Sequence, residues 1–244
     1  MSTSQTLNAT IDRHEDHAWI SVFSKLFDSE YTTLHQLAGW FDIEDSAIWE
    51  KYILDIVQGY VKEGSSIFEA GCGCGAVLNP IQKNFKNITI GGVDGSERAI
   101  QHLLQHVAIN TKKENFLVGF IPDELLTIKS EQYDVTISHS VFQYMSKENA
   151  LLSVDEMLRI TKPGGVVIIG DICDEEYKEE TEAIMKQHWG EDYQSKLPTY
   201  LYLPKSLWKR YENKCKVLVR NSLVEEYWRR ESRYIVYLRK RNQD

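Results

Sequence analysis

Three glycines at alternate positions close an apolar, strand-patterned run in Ser66-Ile67-Phe68-Glu69-Ala70-Gly71-Cys72-Gly73-Cys74-Gly75, and no other stretch constrains the fold as tightly. Glycine lets the backbone turn sharply and pass close to a ligand with no side chain between them. Nineteen residues beyond Gly75 a second apolar run ends in Asp94. In a strand-turn-helix-strand unit this spacing puts the acid at the end of the second strand, beside the first, where a carboxylate takes both ribose hydroxyls. Loop and acid therefore predict an open α/β sheet with a nucleotide-like guest. Gly71, Gly73 and Ala76 also satisfy the G-x-G-x-x-A dinucleotide pattern, so the loop alone leaves an NAD-binding oxidoreductase open.

The surroundings decide between the two. Glu69 stands two residues before the first glycine, and E-x-G-x-G-x-G resembles the first motif of the class I S-adenosylmethionine-dependent methyltransferases. Tyr133-Asp134-Val135-Thr136-Ile137-Ser138 is similar to their fourth strand, and Leu158 to Gly165, ending Lys-Pro-Gly-Gly, to the helix and turn that lead into their fifth. The resemblance runs in order over residues 66–171. It implies a seven-stranded, mostly parallel sheet in a Rossmann-like methyltransferase fold, S-adenosylmethionine as cofactor and S-adenosylhomocysteine as product. Glu69, Gly71, Cys72, Gly73, Asp94, Gly95 and Ser96 are then the expected cofactor residues. In the commonest pattern of the family an acidic residue directly follows the third strand. Here Phe120-Ile121-Pro122-Asp123 stands instead, so Phe120 and Ile121 are expected to sandwich the adenine, with Asp123 a weaker candidate for its amino group.

At the end of the fourth strand, Ser138 and His139 face both cofactor and acceptor in such a fold. His139 is the candidate for contact with the methionine end or for proton transfer, against a plain wall role. Asp171, at the carboxyl end of the fifth strand, is the second catalytic candidate, because ligands of open α/β sheets bind outside those ends; the alternative is a helix cap. Tyr144 reads as a pocket edge or as core.

Before the first strand, residues 11–64 read as helical. Ile48, Trp49, Tyr52, Ile53, Ile56, Val57 and Tyr60 recur at helical spacing over 46–62, Asp45 or Ser46 can cap, and Gly64 stands just past the end. A further helix is expected over 17–27, and 34–41 ends in Trp40-Phe41. This N-terminal part, 1–64, resembles the segment that many small-molecule methyltransferases fold across the cofactor, and 65–244 is then the methyltransferase domain. Crossover helices are expected over 76–85, 97–108 and 148–160. Between 172 and 211 an acidic helix and the aromatics Trp189, Tyr193, Tyr200, Tyr202 and Trp208 interrupt the core, which predicts a lid whose Tyr200 and Tyr202 touch the acceptor. Strands over 214–220 and 233–240 close the sheet.

At 244 residues, 42% hydrophobic and 26% charged, the chain suits one α/β domain with additions. Nothing approaches the run of about 20 apolar residues that crosses a bilayer, so no membrane role and a cytoplasmic location are expected, with a ragged start over 1–10. Cys72, Cys74, Cys173 and Cys215 lie in no metal-ligand or disulfide spacing, and no metal is expected. Net charge is −8, yet residues 205–241 hold twelve Lys or Arg against four Glu. Such a tail can bind nucleic acid, but its cations alternate with apolar residues in strand fashion, which favours a solvated sheet face. The expected activity is methyl transfer to a small molecule, nitrogen mildly favoured because the covering segments are acidic and aromatic. A protein or RNA acceptor is the alternative.

Overall fold

The computed structural model describes residues 14–40, 43–108, 111–189 and 200–242. Seven strands form one sheet: β1 (Ser66–Ala70), β2 (Thr89–Asp94), β3 (Phe116–Val118), β4 (Tyr133–His139), β5 (Thr161–Cys173), β6 (Cys215–Arg220) and β7 (Arg233–Lys240). Their order is β3-β2-β1-β4-β5-β7-β6. β1 to β5 pair in parallel, while β7 runs antiparallel to both β5 and β6. Between β1 and β4 the chain reverses the direction in which strands are added, and a crevice opens there at the carboxyl ends.

Helices α4 (Leu78–Asn84), α5 (Glu97–His106) and α6 (Lys147–Ile160) make the crossovers, and α7 (Lys178–Trp189) comes after β5. Side-chain alternation on the doubly covered strands divides the core. Ile67, Ile90, Val135, Ile137 and Ile168 face α3 (Ser46–Val57) and α4, whereas Phe68, Val93, Val167 and Ile169 face α6. Ahead of the sheet, α1 (His14–Leu26) and α2 (Leu34–Leu37) precede α3. α3 starts where the Asp45 carboxylate accepts from the Ala47 amide at 2.8 Å.

The helix expected over 46–62 stops at Val57 because Gly59 adopts φ +81°, the left-handed conformation that ends helices, before the expected stop at Gly64 is reached. Pro80 is the third residue of α4, where it costs no helical hydrogen bond. The Lys-Pro-Gly-Gly turn falls inside the span of β5. Thr161 pairs with Tyr133 and Val166 with Val135, so residues 162–165 bulge out of the ladder around Gly164 at φ +74°.

The segment expected as a lid divides. Residues 190–199, with Tyr193, lie outside the described residues. From Tyr200 onward the chain is strapped to the sheet: the Leu203 amide donates to the Cys173 carbonyl at 3.0 Å and the Leu201 amide to the Gln143 carbonyl at 2.9 Å. Trp208 is fully buried on the α6 face, its indole donating to Tyr234 Oη at 3.0 Å. It closes the core beside β7 instead of covering the crevice, because that face of the sheet has an apolar surface to bury.

Candidate active site

The turn after β1 is held by its own backbone. Gly71 and Cys72 both donate to the Val93 carbonyl, at 2.8 and 3.0 Å, which ties the exit of β1 to that of β2. Gly71 sits at φ +81°, and a Cβ there would collide with Val141. Asp94 completes the clamp: one carboxylate oxygen accepts from the Gly73 amide and the other from the Ser96 amide, both at 2.8 Å. Ser96 in turn caps α5 by accepting from Ala99 at 3.3 Å. Each Asp94 oxygen keeps a lone pair for a further donor. Burial raises the Asp94 pKa, against the lowering influence of the two amides.

Glycine turn, Asp94 and the β3 exit line one cavity. Of the residues singled out in the sequence it brings together Glu69, Gly71, Cys72, Gly73, Asp94, Gly95, Ser96, Phe120, Ile121, His139 and Tyr144. Glu69 is buried, and its Oε2 has no hydrogen-bond partner among the described residues. Burial, reinforced by the Asp94 charge, pushes its carboxyl well above the ordinary range. A buried, unpartnered carboxylate oxygen on a cavity wall calls for a donor, above all a cationic one.

His139 is buried as well. Its Nε2 lies 3.0 Å from the hydroxyl of Tyr52, and Trp40 and Trp49 pack on the ring at 5.6 and 5.7 Å. Burial lowers its pKa to about 4, although the nearby Asp171 charge pulls the other way. The imidazole is therefore neutral near pH 7 and able to accept a proton.

Five of the expected residues, Ser138, Asp171, Tyr200, Tyr202 and the weaker candidate Asp123, do not line the cavity. Ser138 alternates with His139 along β4 and buries its hydroxyl on the opposite face. Asp171 lies behind His139, buried at φ +57°, and accepts from Ser140 Oγ at 2.8 Å and Tyr227 Oη at 2.5 Å. It caps no helix. Tyr200 packs on Trp19 and Tyr144, 5.5 Å from each, and so supports the wall from outside. Tyr202 lies under the Lys178 ammonium at 5.7 Å.

Sequence reasoning missed most of the aromatic wall. Trp19, Ile20 and Phe23 of α1 and Phe27 just beyond it line the cavity with Trp40 and Trp49. Trp19 lies 4.3 Å from Tyr144, and Phe23 meets the same ring edge-on at 5.4 Å. The available signal was chemical: a helix stripe that only packs on a sheet has no need of indoles and phenols. Several cations of the tail are engaged elsewhere, while Arg229 lies over the Trp40 ring at 5.1 Å. Arg233 is buried with its guanidinium against Cys173 and 3.9 Å from Asp171, Arg220 pairs with Asp55 at 3.0 Å, and Lys240 with Glu131 at 3.2 Å. Among the described residues no group of three His, Cys, Asp or Glu stands where it could hold a metal ion.

A parallel sheet extended by an antiparallel β7, with a glycine turn clamped by an acid at its switch point, defines a Rossmann-like α/β protein of the methyltransferase type. Residues 68–167 match a family described as a methyltransferase domain. Over 118 residues the chain is 24% identical to a carboxy-S-adenosyl-L-methionine synthase of Actinobacillus succinogenes, covering 48% of each chain. Over 117 residues it is 28% identical to a tRNA N(3)-methylcytidine methyltransferase of Schizosaccharomyces pombe, 47% of each. The matched stretch thus spans about half the length of these curated relatives. A magnesium protoporphyrin IX methyltransferase of Synechocystis, solved with S-adenosylmethionine, superposes with a TM-score of 0.60 at 12% identity, covering 98% of this chain and 100% of that one. These likenesses support a class I S-adenosylmethionine-dependent methyltransferase, and the methyl donor of that family is S-adenosylmethionine.

Proposed function

We propose that the protein transfers a methyl group from S-adenosylmethionine to a small-molecule acceptor, with an amine nitrogen favoured. The observation that carries this reading is the unpartnered, buried Glu69 Oε2 in the same cavity as the Asp94 clamp. The site fits the cofactor. Asp94 would take the ribose hydroxyls, Phe120 and Ile121 the adenine faces, and Glu69 the ammonium of the methionine end. Asp123, the weaker candidate for the adenine amino group, is not in the wall and has no part here. When bound, the cofactor supplies a methyl group already made electrophilic by a sulfonium. The protein's own contribution is to orient the acceptor's lone pair, exclude water and take a proton. Of the described residues before β1, the aromatics of α1 act as the cover.

Nitrogen is favoured because the aromatics Trp19, Phe23, Trp40 and Tyr144 line the same cavity, a surface suited to a cationic group. Calorimetry with S-adenosylhomocysteine and with NADH tests the cofactor half: tight binding of the first and none of the second is expected. Incubation with labelled methyl donor and, in parallel, a metabolite pool, total tRNA and a protein extract tests the acceptor half. Label in tRNA or protein alone would overturn the small-molecule reading.

A further inference from the structure

Where the parallel pairing of β4 and β5 runs out, two non-glycine residues share a left-handed backbone, Ser140 at φ +58° and Asp171 at φ +57°. L side chains rarely adopt this conformation, and here the two residues are joined. Ser140 Oγ donates to Asp171 Oδ2 at 2.8 Å, and the Ser140 amide donates to the Gly170 carbonyl at 3.1 Å. Gln143 completes the set, its Nε2 donating to Ser140 Oγ at 2.8 Å. Asp171 and Gln143 are buried, whereas Ser140 is half-buried and lines the cavity beside His139.

These partners fix what the hydroxyl can do. A serine hydroxyl has one proton and two lone pairs. A carboxylate only accepts, so the proton is committed to Asp171, whose other oxygen accepts from Tyr227 Oη at 2.5 Å. One lone pair takes the Gln143 amide. The orientation of that amide follows, because turned over it would set its carbonyl against an oxygen with no proton left to give. The orientation adopted leaves Gln143 Oε1 buried without a partner among the described residues, a cost accepted to keep the donor on Ser140. A single lone pair remains on Ser140 Oγ. This hydroxyl can accept from a ligand and cannot donate to one.

We propose that Ser140 is a specificity-determining residue whose remaining lone pair takes an N–H of an amine acceptor at the point of methyl transfer. This rests on the methyl-transfer reading and names the acceptor group more narrowly. The amine enters as the free base. Its lone pair forms the bond to the methyl carbon, the carbon–sulfur pair stays on sulfur, and the nitrogen keeps its proton while gaining the positive charge. The N–H on Ser140 thus becomes cationic as the bond forms, and a hydrogen bond from an ionised donor is roughly twice as strong as a neutral one. The contact is therefore stronger in the transition state than before it, which raises the rate of the chemical step. A hydroxyl or thiol acceptor gains nothing comparable. It has to lose its proton, and a serine that still holds its own cannot take a second.

Sinefungin tests this, because it carries an amine-bearing carbon in place of the methylated sulfur and so sets N–H donors where the methyl stands; S-adenosylhomocysteine has neither group there. Calorimetry gives the ratio of their dissociation constants in the unaltered protein, in Ser140→Ala and in Ser140→Gly, the second of which suits the left-handed backbone. In both variants the ratio should move against sinefungin by at least about tenfold, as loss of one hydrogen bond to a charged group implies. An unmoved ratio, including an equal loss for both ligands, would mark Ser140 as structural and overturn the proposal. The labelled metabolite pool gives a second reading: label on nitrogen is expected, and label on oxygen or sulfur overturns the assignment even if the ratio moves. If neither ligand binds the unaltered protein, it is the methyl-transfer reading that has failed.

Discussion

Asp94 does two jobs with one carboxylate, and a substitution separates them. It holds the Gly73 and Ser96 amides and leaves two lone pairs toward the cavity. Asp94→Ala is expected to lower S-adenosylhomocysteine affinity by at least about tenfold, since each lost charge-assisted bond is worth roughly 1.5–3 kcal/mol. Asp94→Asn keeps one acceptor and should lose less. Calorimetry reads both, and an unchanged dissociation constant in Asp94→Ala would remove the residue from the site. His139 adds a pH dependence. Its folded pKa of about 4 lies below the unfolded value near 6.5, so the unfolded chain binds the extra proton first. Its contribution is complete above pH 6.5 and is lost as pH falls toward 4, by about 3 kcal/mol in all. Glu69, raised by burial, acts oppositely, favouring the folded state at low pH and losing that as pH rises. The His139 part is therefore isolated by comparison with His139→Gln. Between pH 7 and pH 4.5 the melting temperature of the unaltered protein should fall more steeply than that of the variant, and parallel curves would show that His139 is not buried neutral.

At the scale of elements, α1 and the 200–211 segment end up with roles that their sequences only half declare. The strands were legible because β1 and β2 are largely apolar runs that end before Gly71 and at Asp94, a pattern set by burial on both faces. So was the clamp, since the spacing from Gly75 to Asp94 is fixed by one helical crossover. The division of the aromatics was not legible. Trp19 and Trp208 look alike in sequence, yet one lines the cavity and the other closes the α6 face, and only the three-dimensional path decides which. The exit of β3 held a similar ambiguity, with Asp123 outside the wall and Phe120 inside it. Trp208→Ala should cost about 3–5 kcal/mol of stability through the cavity it leaves, with cofactor affinity unchanged at temperatures where the protein is folded. Tyr200→Ala should do the reverse. It removes support from Trp19 and Tyr144, so stability changes little while the acceptor's apparent KM rises about tenfold, whereas Tyr202→Ala, away from the wall, leaves both nearly as they were. Equal effects of Tyr200→Ala and Tyr202→Ala on KM would place the acceptor against the 200–203 strap instead of the α1 wall.

For the molecule as a whole, the distribution of charge decides what kind of acceptor it suits. A −8 chain with a tail of +8 invites the view that the tail grips a polyanion. In the fold, however, β7 lies inside the sheet between β5 and β6, and two of its cations are drawn into the structure: Arg233 toward Asp171, Lys240 toward Glu131 and the Thr161 carbonyl. Arg220 of the edge strand β6 bonds Asp55 on α3. Cations consumed in this way release few counterions on binding nucleic acid. A protein that neutralised six to ten phosphates would lose about 10³–10⁵ in affinity between 50 and 200 mM salt. A small acceptor held by an aromatic wall is shielded from screening and should change by less than about threefold over the same range. The measurement is the acceptor's apparent KM at the two salt concentrations, in the unaltered protein and in Arg229→Ala and Arg230→Ala, with the internal Arg233 left in place. Flat salt dependence in all three is the expected result. A steep dependence that these two substitutions abolish would return the acceptor to the nucleic acids, and the tail would then be its binding surface.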